Sequence, residues 1–251
     1  MESNPRLVVL TTAYNCEKYI EKCLDSIKAQ KYNNFVCYVL DDLSTDNTVK
    51  LIKKYTYPVD VRFLLSTNSE KKYQPGNYDQ IIRNTTLVND DDIIVEVDGD
   101  DYLPDDEVFN RVVSYYSNPN VWITYGQFKY TTGSMGFAQP IFYNGKYKTD
   151  IRKGAFTVTH LRTWKAKLWK HIKQEDLLVD GKYPECAGDV FFMLPMIEMA
   201  GAEHALFCPE INYIYNFENP IGDSKGRRLL LTQKFAQLGR DKPKYNQLKD
   251  L

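Results

Sequence analysis

The chain has no glycine-rich phosphate cradle. Before Gly99 its only glycine is Gly76. Neither the Gly-x-Gly-x-x-Gly turn of dinucleotide binders nor the Gly-Lys-Ser/Thr phosphate loop can be placed, which disfavours a dehydrogenase and a P-loop enzyme. There is no excess of either charge: 32 Lys and Arg face 33 Asp and Glu, and no global field recruits nucleic acid. Paired cysteines are lacking too. Cys16, Cys23, Cys37, Cys186 and Cys208 are odd in number and form no CxxC spacing, which argues against a disulfide framework or a zinc knuckle. Cys23 and Cys37 fall in apolar patterns and read as small core residues of a protein in a reducing compartment. No apolar run approaches the ~20 residues that span a bilayer. The opening Met-Glu-Ser-Asn-Pro-Arg lacks the basic and apolar regions of a signal peptide. The expectation is a cytoplasmic protein with no transmembrane segment.

What is present is material for a core. Of 251 residues, 43% are hydrophobic and 14% aromatic, as in a globular chain rather than a disordered one. The unusual stretch is Ile93-Ile94-Val95-Glu96-Val97-Asp98-Gly99-Asp100-Asp101, an apolar run that ends in carboxylates. Ten of the eighteen residues from Asp90 to Glu107 are acidic in a chain that is nearly neutral overall. Like charges so crowded repel unless they are solvated or share a cation. Asp98 and Asp100 project the same way if strand geometry persists, and two carboxylates side by side suit a hard divalent cation. The alternative is a solvated acidic turn. Gly99 and Pro104 fall at the wrong places for a twelve-residue calcium loop, so an EF-hand is excluded.

The surrounding pattern favours the cation. Leu7 to Leu10 reads as a buried strand running into Thr11-Thr12-Ala13-Tyr14-Asn15, followed by a helix with Ile20, Cys23, Leu24 and Ile27 on one face, capped by Asn15. Phe35 to Leu40 is a second strand ending at Asp41-Asp42, then a helix with Val49, Leu51 and Ile52 capped by Ser44 or Thr45. Val61 to Leu65 is a third. A loop through Gln74-Pro75-Gly76-Asn77 leads to a helix carrying Ile81 and Ile82, and the acidic strand follows. Such alternation implies right-handed crossovers and a mainly parallel sheet flanked by helices. Ligands in such sheets bind at the carboxyl ends of the strands, and three of these four strands end in polar sequence. Beyond Pro104 the pattern predicts a helix from Asp105 to about Tyr116, one or two strands over 121–130 and irregular loop over 131–153. A helix through Leu161, Trp164, Leu168 and Ile172 is followed by another after Gly188-Asp189. A strand over 205–215, a closing helix over 229–238 and a loose polar tail from Arg240 complete the chain. The expectation is one domain: a nucleotide-binding half to about residue 104, an acceptor half over about 105–239, and the tail.

Four motifs, Thr12-Ala13-Tyr14-Asn15, Asp41-Asp42-Leu43-Ser44, Arg83-Asn84 and Asp98-Gly99-Asp100-Asp101 with Pro104, are together specific. In this order the chain resembles a family 2 glycosyltransferase with the GT-A fold, strongly over residues 6 to about 116 and more weakly to about 200. The resemblance implies a nucleotide-sugar donor lying across the strand ends, a UDP-sugar favoured. Thr12 and Tyr14 line the base and ribose site, Asp42 accepts the imide N–H of uracil, and Arg83 lies near the diphosphate or nucleoside. Asp98 contacts the ribose or the metal, Asp100 binds Mn²⁺ or Mg²⁺, and Asp101 supports them. The family generally inverts by one in-line displacement, which needs a general base on the acceptor side.

Asp189, in Cys186-Ala187-Gly188-Asp189-Val190-Phe191, resembles the family's Glu-Asp motif and is the candidate base, although Gly188 stands where Glu is usual. A helix cap is the competing role for Asp189. His160 and Arg162 face the acceptor or the metal, or else are satisfied structural residues. The stretch 216–228 reads as a mobile lid whose Lys225 or Arg227 closes on the diphosphate, against a solvated surface loop. The Gln-x-x-Arg-Trp signature of processive synthases is absent, which points to addition of single sugars to a carbohydrate, lipid or protein acceptor. Two other readings stand beside this one: a metal-dependent nucleotidyltransferase, and a catalytically silent carbohydrate-binding or assembly module.

Overall fold

The apolar runs at 7–13, 35–41, 63–67 and 93–96 become four parallel strands because each is covered on both faces. They are β1 (Leu7–Ala13), β2 (Phe35–Asp41), β3 (Phe63–Thr67) and β4 (Ile93–Glu96). In the computed structural model, which describes residues 4–56, 58–222 and 226–251, they belong to a seven-stranded sheet. Its other strands are β5 (Ile123–Tyr130), β8 (Thr163–Lys165) and β9 (Ala205–Tyr215), and a separate hairpin supplies β6 (Phe142–Tyr143) and β7 (Lys146–Tyr147). The strand order is β3-β2-β1-β4-β8-β5-β9. β3, β2, β1 and β4 pair in parallel, β5 and β9 likewise, and β8 runs antiparallel between β4 and β5.

Alternation within the strands divides the core in two. Val8, Leu10, Leu40 and Ile94 pack on one face with α3 (Tyr73–Ile82), α5 (Ala166–Lys170) and α6 (Gly188–His204). Leu7, Val9, Val39 and Val95 pack on the other with α1 (Ile20–Lys28) and α4 (Val108–Tyr116). The first core is unusually aromatic: Trp164 and Trp169 stack with centroids 5.8 Å apart, and Tyr78 and Phe192 close around them. All five cysteines are buried, and among the described residues none is joined in a disulfide. Among the described residues no helix is long and apolar enough to cross a membrane.

Several local expectations need correction. α1 begins at Ile20, and Asn15, at φ 47°, lies before it. Asn15 ties loops instead: its Oδ1 accepts from Thr45 N at 2.8 Å and its N–H donates to Ser44 Oγ at 3.0 Å. α2 (Thr48–Ile52) therefore starts after Asn47 and not after Ser44 or Thr45. Gln74-Pro75-Gly76-Asn77 is the first turn of α3 rather than a loop, since proline lacks only an N–H that no helix start can satisfy. Trp164 lies on β8, where it pairs with Ile94 and Ile123, and helix begins only at Ala166. The third strand begins at Phe63, because Val61 is exposed.

The tail is not loose. α7 (Gly226–Arg240) runs into a segment held by its own carbonyls. Arg152 donates to Arg240 O at 3.0 Å and Pro243 O at 3.1 Å, while Leu248 N donates to Met199 O at 2.9 Å. Tyr245 Oη donates to Asp176 at 2.6 Å and accepts from Lys173 N at 2.9 Å. Tyr245→Phe removes both bonds, and each hydrogen bond of this kind contributes about 1 kcal/mol. The expected result is faster amide hydrogen exchange over 241–251 with the sheet unchanged.

Candidate active site

A cavity of about 750 Å³ opens along the carboxyl ends of the parallel strands, where Thr12, Tyr14, Asp42, Asp98, Asp100 and Asp189 meet. They come from four places: the end of β1, the residue after β2, the turn after β4 and the start of α6. Gly99 makes the turn possible. A Cβ there would sit 2.8 Å from Thr12 O, so β1 and the acidic turn approach as closely as backbone permits.

The carboxylates are graded by environment. Asp98 is half-buried and accepts from Thr12 Oγ1 and Gln74 Nε2, each at 3.2 Å. Burial and then Asp100 push its pKa up to about 7. Asp101 lies behind: it accepts from Tyr213 Oη at 2.7 Å and Asn216 N at 2.6 Å. Burial and its two acidic neighbours hold its pKa well above the usual range. Asp100 is held by Asn219 Nδ2 at 2.7 Å. Carboxylates gathered this closely fit a divalent cation, which Asp98 and Asp100 could share.

Beneath these lies a group that the strand reading passed over. Glu96 is fully buried at the end of β4. Its Oε1 accepts from Arg162 Nη1 at 2.8 Å and Gln74 Nε2 at 3.0 Å, and its Oε2 has no hydrogen-bond partner among the described residues. Burial pushes its pKa up to about 8, against the pull of Arg162. Arg162 is itself almost fully buried and its other amino group bonds Asp189. Burial opposes that guanidinium's charge, but Glu96, Asp189 and Asp98 outweigh it and keep it firmly protonated. The result is a chain of charges, Glu96–Arg162–Asp189, from the sheet to the first turn of α6. Glu96 was hard to find because a lone carboxylate two residues before an acidic turn looks like part of the turn.

Asp189 is thus an ion-paired residue at a helix start, partly exposed to the cavity. The glycine before it has a packing reason: a Cβ on Gly188 would lie 2.7 Å from the Pro75 ring of α3. The usual Glu cannot fit while α3 begins where it does. His160 also lines the cavity, stacked on Tyr213 with centroids 4.4 Å apart. Burial, then Arg162, hold its pKa well below the ordinary value, so it is a neutral imidazole. Its side chain and those of Glu96 and Asp98 offer ligand atoms within 4.8 Å of one another.

At the end of β2, Asp42 is buried and already engaged. It accepts from Asn68 Nδ2 at 2.8 Å, Lys72 N at 2.9 Å and Tyr73 N at 3.2 Å, leaving little more than one lone pair for a ligand. Tyr14 is 42% exposed, with the Lys71 ammonium 2.9 Å from its ring centroid. Arg83 is not brought to the cavity. Its guanidinium binds Asp79 at 2.6 Å and Ile172 O at 2.7 Å, fastening α3 to the end of α5, and the expected diphosphate role is corrected to a structural one. Lys225 and the Arg227 side chain lie outside the described residues. Among the described residues, Lys71, Arg162 and Arg228 are the Lys and Arg side chains that line the cavity.

A sheet of six parallel strands split by one antiparallel strand, with carboxylates at its carboxyl rim, is the GT-A fold of glycosyltransferases. The chain matches the Glycosyl transferase family 2 model over residues 8–161, more than half its length, and belongs to that family. It is similar to EpsE of Bacillus subtilis (strain 168), 32% identical over 101 residues that make up 40% of this chain and 35% of EpsE. Among solved structures, Staphylococcus aureus TarS 1–349 in complex with UDP-GlcNAc superposes with a TM-score of 0.63 at 19% identity, over 90% of this chain and 60% of that one. The mannosyltransferase PcManGT from Pyrobaculum calidifontis, in complex with GDP-Man and Mn²⁺, gives 0.64 at 21% identity, over 96% and 66%. The chain spans about a third of EpsE's length.

Proposed function

We propose that the chain moves one sugar from a nucleoside diphosphate sugar, most simply a UDP-sugar, to an acceptor hydroxyl with inversion, Asp189 serving as general base. The observation that carries this is the meeting of Tyr14, Asp42, Asp100 and Asp189 in one cavity although 175 positions separate the first from the last. Tyr14 offers a ring face to the base and Asp42 its remaining lone pair to an imide N–H. The acceptor oxygen attacks the anomeric carbon as the bond to the diphosphate breaks, and its proton passes to Asp189. A divalent cation held by Asp98 and Asp100 would offset the charge left on the diphosphate. Arg162 keeps the Asp189 carboxylate turned to the cavity. Because Glu96 shares that guanidinium, Asp189 is paired without being fully neutralised.

Isothermal titration with UDP, with and without Mn²⁺, tests the donor and cation together. Tight binding only with Mn²⁺ is the expected result; release of pyrophosphate from a nucleoside triphosphate would instead mark a nucleotidyltransferase. The cation must displace the proton that Asp98 binds with a pKa of about 7. Mn²⁺ affinity is therefore expected to fall as pH drops below 7, with proton release detected by repeating the titration in buffers of different ionisation enthalpy. Affinity flat between pH 5.5 and 8 would place the cation elsewhere.

A further inference from the structure

The corner of the cavity assigned to the nucleobase is already filled. Lys71 lies on the loop between β3 and α3, and that loop is wrapped around Asp42: Asn68 and the backbone N–H groups of Lys72 and Tyr73 all bond its carboxylate. From this anchored loop Lys71 reaches back into the cavity. Its Nζ is 2.9 Å from the centre of the Tyr14 ring, donates to Asp42 O at 2.5 Å, and lies 3.7 Å from Asp42 Oδ2. One ammonium therefore touches both groups that would read a base, the ring face that stacks and the residue that accepts an N–H. A base stacked on Tyr14 would take the ring face that Lys71 now covers, so the two cannot occupy it together.

We propose that Lys71 is a placeholder for the nucleobase, which displaces it, and that the displaced ammonium then binds the donor's diphosphate. This rests on the donor reading given above. The loose 3.7 Å approach to Asp42 Oδ2 leaves the ammonium without a close carboxylate, and burial pushes its pKa down. A diphosphate is a stronger partner for it than either present contact. The side chain has the means to move, with four rotatable carbons on a loop rather than a helix. The placement also answers what the Arg83 side chain, fastened to Asp79, leaves undone.

The test compares uridine with UDP, both with Mn²⁺, on the wild type and on Lys71→Met. Methionine keeps much of the length and loses the charge. Uridine is expected to bind about threefold tighter to Lys71→Met, since the competing cation–π contact is gone. UDP is expected to bind about tenfold weaker, since a charged contact to the diphosphate is gone. Lys71→Arg should keep most of the UDP affinity, and Lys71→Gln supplies the neutral comparison if the methionine variant does not fold. Opposite signs for the two ligands are the signature. Uridine and UDP weakened alike would make Lys71 part of the base site, and no change in either would make it a bystander; both overturn the proposal. A wild-type protein that binds neither ligand overturns the donor reading itself, and Lys71's role with it.

Discussion

Asp189→Asn is expected to lower turnover by ~10²–10⁴-fold, the usual loss when general-base help is removed, while UDP affinity stays within about twofold. The reasoning is geometric. The amide of asparagine still accepts a hydrogen bond from Arg162, so the first turn of α6 keeps its anchor to β4 through Glu96. What the amide cannot do is take the acceptor's proton. Donor binding does not draw on Asp189, because the base and ribose groups lie on β1, after β2 and after β4. Near wild-type turnover would mean that another group accepts the proton, and neutral His160, in the same cavity, would be the next to change.

Arg162→Met should do the greatest harm to the fold itself. Removing one partner of a buried ion pair costs about 3–5 kcal/mol because the other charge is left stranded. Here the group left behind is Glu96, with no exposure to water, one oxygen unpartnered among the described residues, and a pKa that burial already pushes up to about 8, so that it must stay an unpaired charge or take up a proton. At ~2–4 °C per kcal/mol for a chain near this size, the melting temperature should fall by about 10 °C. Adding Glu96→Gln to Arg162→Met should recover part of that loss, since a neutral amide is easier to bury than a carboxylate. An additive pair of losses would show that the two residues act separately.

Much of the first hundred residues was legible in the chain itself. Buried parallel strands write themselves as unbroken runs of Val, Ile and Leu. The acidic turn after β4 was legible because a carboxylate cluster has few explanations. The rest depended on contacts made from far away. Pro75 and Gly76 look like a turn until Tyr183 is seen against them; a Cβ on Gly76 would lie 2.5 Å from that ring. Trp164 has helical spacing from Leu168, but the strand residues it lies opposite are 70 and 41 positions back, at Ile94 and Ile123. The polar tail reads as loose because its few apolar residues, Tyr245, Leu248 and Leu251, are too scattered to form a pattern, although each packs against the core. Arg83 could not be told from a ligand-binding arginine without knowing that Asp79 stands one turn before it on the same helix and claims it.

The single reversed strand, β8, has a consequence for how such a protein can diversify. It is hydrogen-bonded to β4 on one side and β5 on the other, and Thr163 at its head bonds both Tyr116 and Thr124. The two halves of the molecule are thereby sewn along a seam rather than hinged. The β6–β7 hairpin, which hangs between β5 and β8 on the far side of that seam, can be lengthened or exchanged in descendants without loosening the carboxylate cluster on the near side. The surface around it can vary while the carboxylate rim is inherited intact.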